Sequence, residues 1–376
     1  MKSMSKLIKT FKELTKKDVG IAGGKGASLG EMTNLRQSSG GQAISVLVPP
    51  GFVILAPAFD RFLIESPYPK IKKKYIDKSI GEENLNVAVE AELDKINYKD
   101  INSVDRASNV IRDLIHDAPM PKDLEKEILV EYYKLSNRPH PTLPFARGGE
   151  YAKGISKKSP LLTKEGVGWG LFVAVRSSAT AEDSSVASWA GELETYLDTT
   201  EKKLLENVKK CWSSLFTPRA IFYRNEKKLL KTKVSVAVVV QTMIESEISG
   251  ICFTVHPVTE DKNQMIIEAG WGLGEAIVSG SITPDSCVLD KRDFSIIDIN
   301  ISKQEKMINR KAGGGVKTNI VPKIKQEKQV LTGKQIVELA KICVSIEKHY
   351  KKPQDIEWAY AKGKFYIVQS RLITTL

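Results

Sequence analysis

The spacing of apolar side chains changes character along the chain. Between residues 57 and 136 it follows a 3.6-residue period, predicting helices at 57–65, 84–96, 103–116 and 121–136, the last with Leu124, Ile128, Leu129 and Tyr132 on one face. Ahead of them, residues 25–36 read as a helix opening after the glycine cluster Gly20, Gly23 and Gly24. A short strand at 51–55 starts after Pro49-Pro50, because proline cannot donate to a sheet ladder. From residue 172 strands prevail, at 172–177, 194–198, 234–244, 251–256, 264–269 and a hairpin-like 286–301. Helices at 200–216, 218–229 and 333–350 interrupt them, the last with Ile336, Leu339, Ile342 and Ile346 in register. Two strands, 355–361 and 364–370, close the pattern. Helix and sheet alternate without a regular βαβ rhythm, so the expected class is α+β in two lobes. Residues 137–170, with four prolines and no period, read as a disordered insert, and 311–317 as a flexible loop.

Composition narrows the function classes. The 376 residues are 41% hydrophobic and 27% charged, which suits a globular protein of two or three domain-sized units. The longest apolar run falls far short of the roughly 20 residues a bilayer needs, and Met1 to Leu14 has no signal-like core, so no membrane partner is expected. The net charge of +12 would suit a polyanion, but it is spread as lysines with acids nearby, which argues for a solvated surface and against nucleic acid. Cys211, Cys252, Cys287 and Cys343 form no C-x-x-C pair, and the histidines are equally scattered. They read as reduced, buried thiols of a cytoplasmic protein, with no zinc site.

Four motifs carry chemistry, each with an ordinary structural alternative. Gly23-Gly24-Lys25-Gly26 at a helix start offers backbone N–H groups and a mobile cation to an anion, though the spacing is not that of a Walker loop. Arg176 at a strand end, followed by Ser177, Ser178 and Thr180, could meet phosphate bidentately, or be a plain strand exit. Glu268-Ala269-Gly270-Trp271-Gly272-Leu273-Gly274-Glu275 is a glycine turn that fails the dinucleotide fingerprint. Asp355-Ile356-Glu357 with Gln369-Ser370-Arg371 supplies hard oxygen ligands beside an arginine, as Mg²⁺ with a polyphosphate would use.

Together these motifs make a resemblance. The stretches GGKGASLGEM, VPPGFVI, VAVRSSATAED, SWAGELETYL, CWSSLFTPRAIFYR, VVVQTMIESEISGICFTVHP, EAGWGLGEAIVSGSITPD, DIEWAY and YIVQSR run in order from residue 23 to 371. The chain is similar to the N-terminal nucleotide-binding part of phosphoenolpyruvate synthase and pyruvate phosphate dikinase. The resemblance implies a two-lobed ATP-grasp fold, with lobes at 1–232 and 233–376. It also implies ATP and Mg²⁺ as ligands, and transfer of a pyrophosphoryl group from ATP to a histidine on a swivelling domain, with release of AMP. By position it makes Lys25 and Arg176 catalytic phosphate ligands and Glu357 and Gln369 metal ligands. Gly24, Ser177, Ser178, Thr180, Gln241, Met243, Glu275, Asp355 and Arg371 become nucleotide contacts, with Gln241 to Met243 as the adenine hinge. Trp189, Glu192 and Leu372 depart from the family pattern. No histidine lies in a Thr-Cys-His context, so the phosphohistidine carrier and the pyruvate-binding domain are expected to be separately encoded. The alternatives are a non-catalytic ATP-binding fragment of a split enzyme, or the ATP domain of a rifamycin-type or glucan dikinase-type phosphotransferase.

Parity constrains the closing hairpin. A two-residue turn at Lys362-Gly363 would point Gln369 away from Glu357, whereas a three-residue loop of Ala361, Lys362 and Gly363 gives the other parity. The expected arrangement is therefore the longer loop, with Asp355, Glu357, Gln369 and Arg371 on one face turned toward Lys25 and Arg176.

Overall fold

A computed structural model describes residues 6–35, 46–67, 84–136, 171–180, 194–228, 235–311 and 314–373, and the backbone of 183–184 and 187–188. The expected insert at 137–170, Trp189 and Glu192 lie outside the described residues. The architecture is α+β, built on two antiparallel sheets. The first contains β1 (Ile8–Thr10), β2 (Gly51–Ile54), β3 (Val173–Ala179), β6 (Thr195–Thr199) and β7 (Val236–Thr242), ordered β1-β2-β7-β3-β6. A minimal pair, β4 (Asp183–Ser184) and β5 (Ala187–Ser188), falls between β3 and β6 in sequence. The second contains β8 (Ile248–Phe253), β9 (Gln264–Trp271), β10 (Asp285–Asp290), β11 (Ile296–Asn300), β14 (Gln354–Ala361) and β15 (Lys364–Leu372), ordered β11-β10-β9-β8-β14-β15. Residues of β7, beyond the expected lobe boundary at 232, lie at the centre of the first sheet.

The period-2 alternation of β7 separates two cores. Val236, Val238 and Val240 join Val173 and Val175 of β3 against α2 (Ala56–Glu65), α3 (Leu85–Asp94), α4 (Ile101–Asp117), α5 (Lys122–Leu135) and α6 (Glu201–Ser213). Trp212 anchors this layer, with its ring 4.9 Å from Phe62 and 5.5 Å from Phe59. Ala237 and Val239 face the other way, into a second core shared by α1 (Val19–Thr33), the back of the second sheet and α9 (Gly333–Tyr350). Each such aliphatic side chain contributes roughly 1.5–3 kcal/mol by leaving water, and the second core ties the sheets together.

Local signals explain the helix starts. The Asn84, Asp100 and Thr217 side chains accept from the N–H groups of Val87, Asn102 and Ala220, the last opening α7 (Pro218–Glu226), and Thr332 forms a capping box with Gln335 ahead of α9. The four cysteines are buried and free. Two elements differ from expectation. Helix α1 starts at Val19, not residue 25, and passes through a non-helical Gly23. Lys311 and residues 314–317 are not a free loop, because they belong to a hairpin of β12 (Lys306–Arg310) and β13 (Val316–Ile320) in which the Lys311 N–H donates to the Gly315 carbonyl at 2.9 Å, while residues 312–313 lie outside the described residues. No described helix is long and apolar enough to cross a membrane.

Candidate functional site

The glycine motif and the arginine strand are one construction. Gly23 has φ +67°, and a Cβ there would lie 2.3 Å from the Ser178 carbonyl oxygen, so only glycine lets α1 come this close to β3. The Ser178 hydroxyl donates to the Ala22 carbonyl at 2.9 Å and accepts from the Gly26 N–H at 3.2 Å, bridging the break in the helix. Gly24 and Lys25 lie on the bridged turn. The far end of α1 is fastened to the second sheet and α9, through Ser28 Oγ to the Ser370 carbonyl at 2.7 Å and Glu31 to His349 at 2.6 Å.

The closing hairpin puts its polar side chains on one face, but by another device than the expected loop. The turn is the two-residue one, with Lys362 at φ 51° and Gly363 at φ 75°, the paired left-handed residues that such turns require. Ala361 therefore faces Lys364. Parity is changed further along by a β-bulge, since Trp358 pairs with Ile367 and Glu357 with Gln369, leaving Val368 extra. Glu357 then opposes Gln369 directly, and Asp355 opposes Arg371. The expectation of a three-residue loop is thus corrected, while the shared face is found.

Arg176 fills the junction. Its guanidinium donates through Nη1 to the carbonyl of the bulged Val368 at 2.9 Å and to Gln241 Oε1 at 3.4 Å. Through Nη2 it donates to Glu357 Oε2 at 3.3 Å and to Gln369 Oε1. Asp355 is buried and takes Arg371 Nε at 2.8 Å on one oxygen. Burial pushes its carboxyl above the ordinary range, against the pull of Arg371. Three buried polar atoms here, Arg176 Nε, Gln241 Nε2 and Asp355 Oδ1, have no hydrogen-bond partner among the described residues. Donors and an acceptor left so are what a polar ligand would satisfy.

The remaining expected contacts divide. The Met243 N–H donates to the Phe172 carbonyl at 3.0 Å, at the end of β7. Glu275 opens the short α8 (Glu275–Val278) after the glycine turn and is exposed. Ser177 and Thr180 are not brought to the arginine, because their hydroxyls donate to the Glu194 carbonyl at 2.6 Å and the Ser235 carbonyl at 3.0 Å. Alternation turns Ser177 to the helical side with Val175. Ser178 acts between α1 and β3.

One acid escaped sequence reasoning. Glu268 on β9 is in register with Ile251 on β8, and Ile251 with Glu357, so both glutamates share the site face of the second sheet. Burial and the nearby Asp355 push the Glu268 carboxyl upward. The signal was the strand alternation of the quoted EAGWGLGE motif, legible only once the strand order is known.

An arginine bridging a carboxylate and two amide side chains thus lies beside a glycine-broken helix, between the two sheets. Residues 19–376 match the family described as pyruvate phosphate dikinase, AMP/ATP-binding domain, and the chain belongs to it. It is 41% identical over 372 residues to a probable phosphoenolpyruvate synthase of Methanocaldococcus jannaschii, covering 99% of this chain and 27% of that protein. It is 39% identical to phosphoenolpyruvate synthase of Pyrococcus furiosus, covering 99% and 44%, and 33% identical to rifampicin phosphotransferase of Bacillus subtilis, covering 99% and 36%. The chain thus spans less than half the length of these relatives, which carry further domains.

Proposed function

We propose that this chain is the ATP-grasp half of a phosphoenolpyruvate synthase-like phosphotransferase, passing the pyrophosphoryl group of Mg–ATP to a histidine on a separate carrier domain. The observation that carries this is the convergence of Arg176, Gln241, Glu357 and Gln369 at the β15 bulge, beside the α1 glycine break. Glu357 and Gln369 would hold Mg²⁺. Mg²⁺ is a cation bound through one or two protein oxygens plus substrate phosphates, and these two side chains offer such oxygens. When bound, the ion neutralises phosphate charge.

In the transfer, an imidazole nitrogen of the carrier forms a bond to the β-phosphorus. The bond from that phosphorus to the oxygen shared with the α-phosphorus breaks, and AMP leaves with that oxygen. The chain's part is positioning and charge stabilisation. The guanidinium of Arg176, fixed by the Val368 carbonyl, is preorganised for oxygens whose charge grows in the transition state. Lys25, on the turn bridged by Ser178, adds a second cation, and Arg371, aligned by Asp355, a third. Gln241 to Met243 form the hinge that holds the base, with Glu275 lining the polar end.

The test is ATP labelled at its β-phosphate, incubated with this chain and the histidine domain of a phosphoenolpyruvate synthase. The expected products are AMP and acid-labile label on the carrier. Formation of ADP, or no transfer despite ATP binding, would overturn the proposal, the second result favouring a non-catalytic fragment. Similarity to rifampicin phosphotransferase supports one further reading, the same chemistry serving a different final acceptor.

A further inference from the structure

The β12–β13 hairpin plays no part in the phosphate site, yet it connects the second sheet to the edge of the first. Midway along β12, the Leu273 N–H donates to the Ile308 carbonyl at 2.8 Å, and Gly272 bridges Ile308. This fastens the hairpin to the glycine turn that leads into Glu275. At its tip, the Gly315 N–H donates to the Asp198 carbonyl at 3.2 Å. Gly314, at φ +95°, passes so close that a Cβ would lie 3.0 Å from Thr200 Cγ2. Arg310 completes the junction: its Nε donates to Asp198 Oδ1, and its guanidinium carbon lies 4.0 Å from the Phe172 ring centroid. The Asp198 side chain is fully buried, and Phe172 is the residue whose carbonyl receives the Met243 N–H. Ile308 and Arg310 are two residues apart on one strand, about 7 Å, so β12 is a short strut between the Glu275 turn and the Met243 segment.

We propose that Arg310 is a positioning residue for the base end of the nucleotide, an inference that rests on the nucleotide site proposed above. Arg310 touches no phosphate ligand. It acts through Phe172 and Asp198, fixing the separation between the hinge backbone and the glycine turn, the two walls between which a purine base would lie. A buried ion pair is by itself weak evidence for stability, because desolvation offsets attraction. A flat guanidinium stacked on a ring, by contrast, fixes orientation in a way that a lysine ammonium cannot. The strut therefore affects binding of the base and leaves the triphosphate end alone.

The experiment is calorimetry of the chain with AMP, which carries the base, and with tripolyphosphate, which lacks it, both in Mg²⁺ buffer. The variants are Arg310→Lys, which keeps a charge for Asp198 but loses the flat stack, and the double variant Asp198→Asn with Arg310→Met, which leaves no buried charge uncompensated. Both should bind AMP about 3–30-fold more weakly, the range of a lost cation–π contact, with tripolyphosphate affinity unchanged. Unchanged AMP affinity in Arg310→Lys would overturn the proposal, and so would equal losses for AMP and tripolyphosphate, the mark of a merely structural clamp. Failure of the unaltered chain to bind ATP at all would instead defeat the nucleotide site, and this inference with it.

Discussion

Two glycines three positions apart in α1 should respond to the same substitution with opposite signs. At Gly23, alanine would have to adopt φ +67° with ψ 172°, a region that essentially only glycine occupies, at a cost of about 1–3 kcal/mol. Its Cβ would also lie 2.3 Å from both the carbonyl oxygen and the hydroxyl of Ser178. Strand β3 is held by β7 and β6 on either side, so α1 has to retreat, and overpacking of this kind costs about 1–3 kcal/mol. The sum, about 2–6 kcal/mol, corresponds for 376 residues, whose unfolding entropy is about 0.8 kcal/mol per kelvin, to a melting temperature lower by roughly 3–8 °C. Gly20 is exposed, has nothing within 4 Å of an added Cβ and needs no positive φ. Gly20→Ala should therefore stabilise by up to about 0.5–1 kcal/mol. Thermal melts of both variants, followed by ATP calorimetry, check the pair. Because Lys25 follows the break directly, Gly23→Ala should also weaken ATP binding, while Gly20→Ala leaves it intact. A Gly23→Ala protein that melts with the unaltered chain, or a Gly20→Ala protein that falls as far, would refute the close-approach argument.

Other outcomes follow from the same contacts. Ser178→Ala strips the Gly26 N–H and the Ala22 carbonyl of their bridge and should cost about 1–3 kcal/mol in urea unfolding, the penalty for a buried group left unpaired; a smaller cost would mean that α1 closes the gap. Deleting Val368 removes the bulge but leaves Gln369 opposite Glu357, so Mg²⁺-dependent ATP binding should survive, weakened by loss of the carbonyl that fixes Arg176, with the circular dichroism unchanged. Loss of the Mg²⁺ dependence would show that pairing across the hairpin does not set the metal face. Arg176→Gln should slow transfer about 10²–10³-fold, typical of one lost preorganised contact, and unchanged AMP formation would remove Arg176 from the reaction.

Much of this was legible in the sequence where local signals suffice. Apolar period and caps marked α2 to α7 and α9 within a few residues, and the strand signal at 234–244 marked β7. What was not legible depends on distant partners. The bulge at Val368 exists beside a guanidinium 192 residues away that takes its carbonyl, so parity and metal chemistry implied the shared face but suggested the wrong device for it. The start of α1 was missed because Gly23 hides a break inside a helix, a break that makes sense only against Ser178. Residues 311–317 were read as a flexible loop because the flanking strands have no buried residue and alternate weakly, and their order comes from Asp198 and Phe172, far away in sequence. The register that aligns Glu268 with Glu357 likewise follows from strand order alone.

The most direct test of the central claim, a Mg–ATP site assembled where Arg176 meets Glu357 and Gln369, is calorimetry of ATP binding to the isolated chain with Mg²⁺ and then with excess chelator. The account predicts clear binding with Mg²⁺ that is lost, or weakened at least tenfold (about 1.4 kcal/mol), when the metal is removed, and that Glu357→Gln lessens this dependence. Equal affinity with and without Mg²⁺ would contradict it.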